Sequence, residues 1–313
     1  MVHRLIVYGI SGNIGEQTLA VLRESHFYDL VAFSVGENIK VIPSILKRHK
    51  NVTSICVKNA KDVNPLKKKF PKIKFYWGDN GLIQLLEDTP ADVFLNALVG
   101  FVGLAPTLKA IKLNLTIALA NKESLVVGGE LVNNALKHSK SKIYPVDSEH
   151  SAIYKCLKAC DKKDVKEILI TASGGAFRHL TRDALKTVTP AQALNHPTWK
   201  MGKRVTIDSA TMLNKGFEMI EAYYLFHFPI SKIKVLMHDE SCVHSILHLK
   251  DESYLGEVNK PSMINPIRYA LKDKHLPEDV KHVNTLKGFG PYHFHNFDIL
   301  HRAYHLCVLV HFH

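Results

Sequence analysis

The tightest constraint on the fold lies in the first 35 residues. Arg4-Leu5-Ile6-Val7-Tyr8 reads as a short apolar strand, followed at once by Gly9-Ile10-Ser11-Gly12-Asn13-Ile14-Gly15 and a helical run from Glu16 to about Glu24. Residues 28–35 read as a second strand, which makes a βαβ unit with its glycines in the first turn. Glycine there allows a tight turn and close backbone approach, and the helix N-terminus offers N–H groups to a pyrophosphate. The spacing is G-x-x-G-x-x-G rather than G-x-G-x-x-G, so the strand before and the helix after carry much of the reading.

The α/β alternation continues. Residues 54–57, 75–77, 93–98 and 116–120 read as strands and 80–87 and 103–112 as helices, all suited to a doubly wound parallel sheet ending near Val146. After Glu149 the texture changes. A helix is expected at 152–160, and a strand at 167–172 running into Ser173-Gly174-Gly175. Residues 177–203, with Pro190 and Pro197, are weakly periodic and read as a lid. A short strand at 204–207, a helix at 210–226 and strands at 234–238, 245–249 and 253–257 complete an α+β second domain.

Length and charge narrow the function. A chain of 313 residues can bury two cores. The formal charge of +12 invites a nucleic-acid reading, but the lysines are spread along the chain. Solvated faces, or a positive field that attracts small anionic substrates, account for them without nucleic acid. No run is apolar enough to cross a bilayer, and the first strand begins almost at Met1, leaving no room for a leader. The five cysteines (Cys56, Cys156, Cys160, Cys242, Cys307) lack metal-ligand spacing and suit reduced thiols in a cytoplasm.

Three blocks carry chemistry. The first is Pro145-Val146-Asp147-Ser148-Glu149-His150. In a strand, Asp147 and Glu149 would share a face, and two close carboxylates call for a cation such as Mg²⁺ or Mn²⁺. Taken alone, the hexapeptide reads first as an acidic turn. The second block, Asn121-Lys122-Glu123-Ser124, stands at the end of an expected strand, where open α/β sheets bind ligands. The third runs from Asp208 to Glu218. Lys215 and Glu218 share a helical face there, and Ser209, Asn214 and Lys215 are donors suited to a phosphate. Singly, Ser209 reads first as a helix cap and Lys215–Glu218 as an ordinary surface pair. Jointly, metal, phosphate and nucleotide chemistry recur in one chain.

Together the blocks resemble the 1-deoxy-D-xylulose 5-phosphate reductoisomerases. The likeness runs in order from Leu5 to about Pro266, through the glycine turn, residues 119–124, 145–150 and 173–175, His196-Pro197-Thr198-Trp199-Lys200-Met201-Gly202, 208–218 and His244-Ser245. The resemblance implies Asp147, Glu149 and Glu218 as metal ligands, with Lys122 and Ser148 on substrate oxygens, and Lys122, Ser148, Glu149 and Glu218 as the catalytic and substrate-binding groups around them. It implies Ser173, His196, Ser209, Asn214 and Lys215 on the substrate's phosphate and hydroxyls, and Trp199 as part of a mobile lid. Ser11, Gly12, Asn13, Ile14, Gly36, Glu37, Asn38, Asn121, Glu123 and Gly202 would meet NADPH. The implied organisation is a Rossmann-like NADPH-binding domain at 1–146, a catalytic α+β domain at 147–272 with its lid at about 173–203, and a linker with a divergent C-terminus at 273–313. A cytoplasmic homodimer paired through the second domain's sheet is expected.

Two departures stand out. Glu37 occupies a position where the family has a basic or small residue beside the cofactor's 2′-phosphate. An acid about 20 residues past the glycine turn is instead what holds a free ribose hydroxyl in NAD enzymes, so Glu37 is expected to weaken the preference for NADPH unless Lys40 compensates or Glu37 points to solvent. The family also continues into a C-terminal helical domain, whereas here residues 291–313 carry six histidines and the run Leu306-Cys307-Val308-Leu309-Val310. The alternative expectation is therefore a shortened, weakly active or inactive remnant that still binds nucleotide or metal, or pairs with an intact subunit.

Overall fold

The computed structural model describes residues 2–271 and 293–296. They form two compact units. One holds the chain through Asp147 and the segment that begins at Met263; the other holds Ser148–Ser262 with residues 293–296.

In the first unit β1 (His3–Tyr8), α1 (Asn13–Glu24), β2 (Tyr28–Val35), α2 (Ile42–Arg48), β3 (Ser54–Val57), α3 (Val63–Lys69) and β4 (Lys74–Trp77) follow one another. Next come α4 (Gly78–Asp88), β5 (Val93–Asn96), α5 (Leu104–Lys112), β6 (Thr116–Leu119), α6 (Glu123–Lys137) and β7 (Lys142–Pro145). The seven strands are parallel in the order β4-β3-β2-β1-β5-β6-β7. Strands covered on both faces need continuous apolar runs, and Leu5-Ile6-Val7-Tyr8 and Ser54-Ile55-Cys56-Val57 are buried throughout. Thr18, Val21 and Leu22 put one face of α1 into the core at helical spacing. The chain order reverses between β1 and β5, so the crevice at their C-terminal ends is the switch point where such sheets bind ligands.

The second unit runs α7 (Ser148–Cys156), β8 (Val165–Ala172), α8 (Pro190–Ala193), α9 (Lys203–Ala210), α10 (Leu213–Phe226), β9 (Ile233–Met237), β10 (Val243–Leu249) and β11 (Tyr254–Val258). Its sheet has the order β11-β10-β8-β9-β12, where β12 is the two-residue strand His295–Asn296. Ile153 of α7 and Ala222 and Phe226 of α10 pack with Ile168, Ile170 and Leu247 of the sheet to form its core.

Several expectations change. Residues 204–207 are helical: the apolar–polar alternation mimics a strand, but Thr206 and Ala210 bury at i, i+4 spacing and the helix starts from Gly202. The helix expected at 210–226 starts at Leu213, because Met212 takes a left-handed conformation (φ +64°) and separates α9 from α10. Asp147 and Glu149 do not share a strand. The edge strand β7 stops at Pro145, which cannot donate to a ladder, and α7 begins at Ser148. Residues 173–203 are not coreless. Phe177 and Ala193 pack with Ala210, and a Thr189/Gln192 capping box opens α8. The segment from Met263, expected in the second domain, joins the first unit. There α11 (Ile264–Ala270) packs on α1, buries Ile267 and Ala270 and pairs Arg268 with Glu24. The expected linker and C-terminus at 273–313 lie, apart from 293–296, outside the described residues.

Candidate active site

The glycine turn of the first unit is built by close backbone contact. Gly9 has φ +77°, and a Cβ on it would lie 2.3 Å from the Ala97 carbonyl oxygen. A Cβ on Gly15 would lie 2.3 Å from the Ile10 carbonyl oxygen. These two glycines are fixed by the fold itself. Gly12 is different: it caps α1 without a side-chain bond, and an added Cβ would meet only the Gly9 oxygen at 3.3 Å. Gly36 has open space around it. Ser11, Gly12, Asn13 and Ile14 stand at the N-terminus of α1, at the switch point of the sheet. Glu37 and Asn38 follow β2 and are exposed, and the Glu37 carboxylate accepts from the Lys58 ammonium at 2.7 Å.

At the end of β6 the cluster Asn121–Ser124 has a structural task. The Asn121 amide donates to the carbonyls of Leu98 and Gly100, each at 2.9 Å, and to Glu123 at 3.1 Å. Its oxygen accepts from the Ser124 amide at 3.0 Å, and Glu123 accepts from the Gly100 amide at 2.9 Å. Asn121 and Glu123 thus fasten the loop after β5. Lys122 turns the other way and donates to Asp147 at 2.9 Å, both side chains being mostly buried.

In the second unit a buried lysine draws acids around it. Lys215, 6% exposed, donates to the Thr171 carbonyl at 2.7 Å and to Glu218 at 2.5 Å, and lies 3.5 Å from Glu149. Glu218 is 1% exposed and also accepts from Asn214. The Ser148 hydroxyl donates to Glu149 at 2.6 Å. Lys215 and Glu218 meet because they stand three apart at the start of α10, and the left-handed Met212 fixes where that turn begins. Two carboxylates and a carbonyl around one ammonium are hard oxygen donors around a cation. The same donor type suits Mg²⁺ or Mn²⁺, so the residues present fit a divalent metal.

The other residues expected on the substrate also come together within this unit. His196 Nδ1 accepts from the amides of Thr198 (3.1 Å) and Trp199 (2.9 Å). That leaves its proton on Nε2, which faces the Ser173 hydroxyl at 3.1 Å. Burial, and then the charge of Arg178, push His196 down to about 4, so the ring is neutral. Ser173 opens the Gly174-Gly175 turn, and a Cβ on Gly175 would lie 2.5 Å from the Ser209 carbonyl oxygen, so the turn lies against α9 beside Ser209. Trp199 stands over His244, ring centroids 6.1 Å apart. Gly202 caps α9 and is exposed.

Sequence reasoning missed two parts. His150 is fully buried, its Nε2 3.0 Å from the Glu218 carbonyl oxygen and its Nδ1 3.6 Å from Glu221. The i, i+3 repeat of Lys215, Glu218 and Glu221 was the available signal. The tie from Lys215 to Thr171 crosses 44 positions and leaves no trace in the sequence.

A parallel sheet with a glycine turn at its switch point, and a unit that gathers carboxylates around a lysine, give the architecture of a dinucleotide-binding α/β enzyme. Comparison with known proteins gives the family. The profile of 1-deoxy-D-xylulose 5-phosphate reductoisomerase matches residues 5–129, and that of its C-terminal domain matches residues 143–226. The enzyme of that name from Macrococcus caseolyticus is 44% identical over 266 residues, covering 85% of this chain and 70% of the relative. The one from Lysinibacillus sphaericus is 43% identical over 300 residues, covering 94% and 78%. A crystal structure of DOX-P reductoisomerase with NADPH, fosmidomycin and magnesium superposes with a TM-score of 0.86 at 33% identity, covering 98% of this chain and 78% of that one. The Zymomonas mobilis enzyme in complex with NADPH gives 0.84 at 33% identity, covering 98% and 80%. This chain belongs to the 1-deoxy-D-xylulose 5-phosphate reductoisomerase family.

Proposed function

We infer that the chain rearranges and reduces 1-deoxy-D-xylulose 5-phosphate to 2-C-methyl-D-erythritol 4-phosphate, using NADPH and Mg²⁺ or Mn²⁺. The observation that carries the reading is the acid pair Glu149 and Glu218 held on Lys215, since simple hydride transfer has no use for it. Asp147, two residues before Glu149, would complete the metal ligands. When bound, the cation supplies Lewis-acid polarisation of the substrate's ketone and NADPH supplies the hydride.

The protein's own groups bind and orient. Ser173, Ser209, Asn214 and Lys215 grip the phosphate, and His196 donates to it from Nε2. Lys122 and Ser148 hold the oxygens of the reacting carbons. Trp199 covers the substrate and excludes water from the reacting centre. The N-terminus of α1 and the residues after β2 take the dinucleotide, while Asn121 and Glu123 support it through the loop they fasten. Phosphate binding spends its energy on positioning the rest of the substrate.

The chain would work as a homodimer in the cytoplasm. Tyr254 and Val258 expose apolar surface on the edge strand β11, where a second sheet could pair, and no helix among the described residues is long and apolar enough to cross a membrane. Product analysis tests the reaction. Phosphorus and carbon NMR of a completed turnover shows a branched methylerythritol phosphate if the reading holds. A straight-chain polyol phosphate, made by reduction without rearrangement, would refute it.

A further inference from the structure

Glu37 poses a conflict that the fold resolves. A lone carboxylate after β2 would accept hydrogen bonds from a free ribose hydroxyl and repel a 2′-phosphate. Glu37 is not alone. The ammonium of Lys58 lies 2.7 Å from its carboxylate. β2 and β3 are parallel neighbours, and Val35 pairs with Val57, so the residues that follow them leave the same edge of the sheet. Gly36, Glu37 and Asn38 come from one strand end and Lys58 from the next, at the C-terminal edge where ligands bind. Lys61, in the 3-10 turn Ala60–Asp62, adds to the positive field. The hydrogen bond from Lys58, followed by its charge, holds the Glu37 carboxyl below the ordinary glutamate range.

We propose that Lys58 determines the cofactor specificity of this chain, by masking Glu37 and supplying the cation that meets the 2′-phosphate of NADPH. An ammonium has three donors, of which Glu37 takes one, leaving two for phosphate oxygens. Both side chains are exposed, so the pair is weak and the flexible lysine stem can turn toward an incoming phosphate at little cost. The proposal rests on the NADPH-dependent function inferred above.

Direct binding, without turnover, tests it. Dissociation constants for NADPH and NADH are measured by nicotinamide fluorescence on the wild-type chain and on Lys58→Met, Lys58→Arg and Glu37→Gln. The wild type should prefer NADPH. Lys58→Met should weaken NADPH about tenfold or more, the loss expected of a charge-assisted contact, and leave NADH within about twofold or tighter. Lys58→Arg should keep most of the preference, and Glu37→Gln all of it. An unchanged NADPH/NADH ratio in Lys58→Met, or a preference of the wild type for NADH, overturns the proposal. If the wild type binds neither dinucleotide, the inferred function falls with it. An unchanged ratio alongside intact NADPH binding removes only the role of Lys58.

Discussion

Replacing Lys215 by methionine removes one charge and little volume, and so isolates the cation at the centre of the second unit. Its ammonium stands 2.5 Å from Glu218 and 3.5 Å from Glu149. At an effective dielectric near 20 each contact is a gross attraction of order 5 kcal/mol, most of it offset by the desolvation of buried Lys215 and Glu218 and of partly buried Glu149. Breaking a buried ion pair on one side only leaves an uncompensated charge and costs about 3–5 kcal/mol net. The bond to Thr171 is lost as well. At about 2–4 °C per kcal/mol, the melting temperature of Lys215→Met in EDTA should fall by about 10 °C. Mg²⁺ at a hundredfold excess over its dissociation constant returns about 2.7 kcal/mol to any site that it fills. The variant's melting temperature should therefore rise more on adding Mg²⁺ than the wild type's, where the ammonium already occupies the carboxylates. Circular dichroism melts with and without MgCl₂ measure both effects. A fall below about 2 °C, or a Mg²⁺ response no larger than in the wild type, would refute the argument that these acids are held for a cation.

Two further outcomes are expected. Gly15→Ala should cost about 1–3 kcal/mol, because its Cβ would overlap the Ile10 backbone, whereas Gly36→Ala should melt like the wild type; thermal melts of both check this. His196, pushed from 6.5 to about 4, should read in ¹⁵N-resolved NMR as a neutral ring with its proton on Nε2 down to pH 5. Between those two values the unfolded chain binds the extra proton, so the contribution of His196 to stability is full above pH 6.5 and is lost as pH falls toward 4. Solvent screening of this half-exposed ring holds that contribution to roughly 1 kcal/mol, and the slope should disappear in His196→Asn.

The parts legible in the sequence were those written in local spacing. The glycine turn could be read because the fold needs glycine at positions 9 and 15, and Lys215 with Glu218 because i, i+3 neighbours share a helix face. Elsewhere local signals misled. α6 was hidden by Val126-Val127-Gly128-Gly129, a stretch unfavourable to helix; Gly128 is needed because any Cβ there would strike the Leu104 side chain. α2 and α3 span seven residues each and carry internal prolines that read as breaks. Asn121 looked like a ligand residue, and its hydrogen bonds to the loop after β5 depend on tertiary contacts that spacing does not encode. Lys58 stands 21 residues from Glu37 in the chain, and only the register of β2 on β3 puts the two side by side.

A chain that couples a dinucleotide site to a metal-dependent rearrangement oxidises its cofactor only in the presence of both substrate and metal. The direct measurement is the loss of NADPH absorbance on addition of 1-deoxy-D-xylulose 5-phosphate, with EDTA and then with Mg²⁺ or Mn²⁺. NADPH should be consumed only when substrate and metal are both present, and Glu218→Gln should abolish the consumption while leaving NADPH binding intact. Bound NADPH that is never oxidised, with either metal at saturating substrate, would contradict the account.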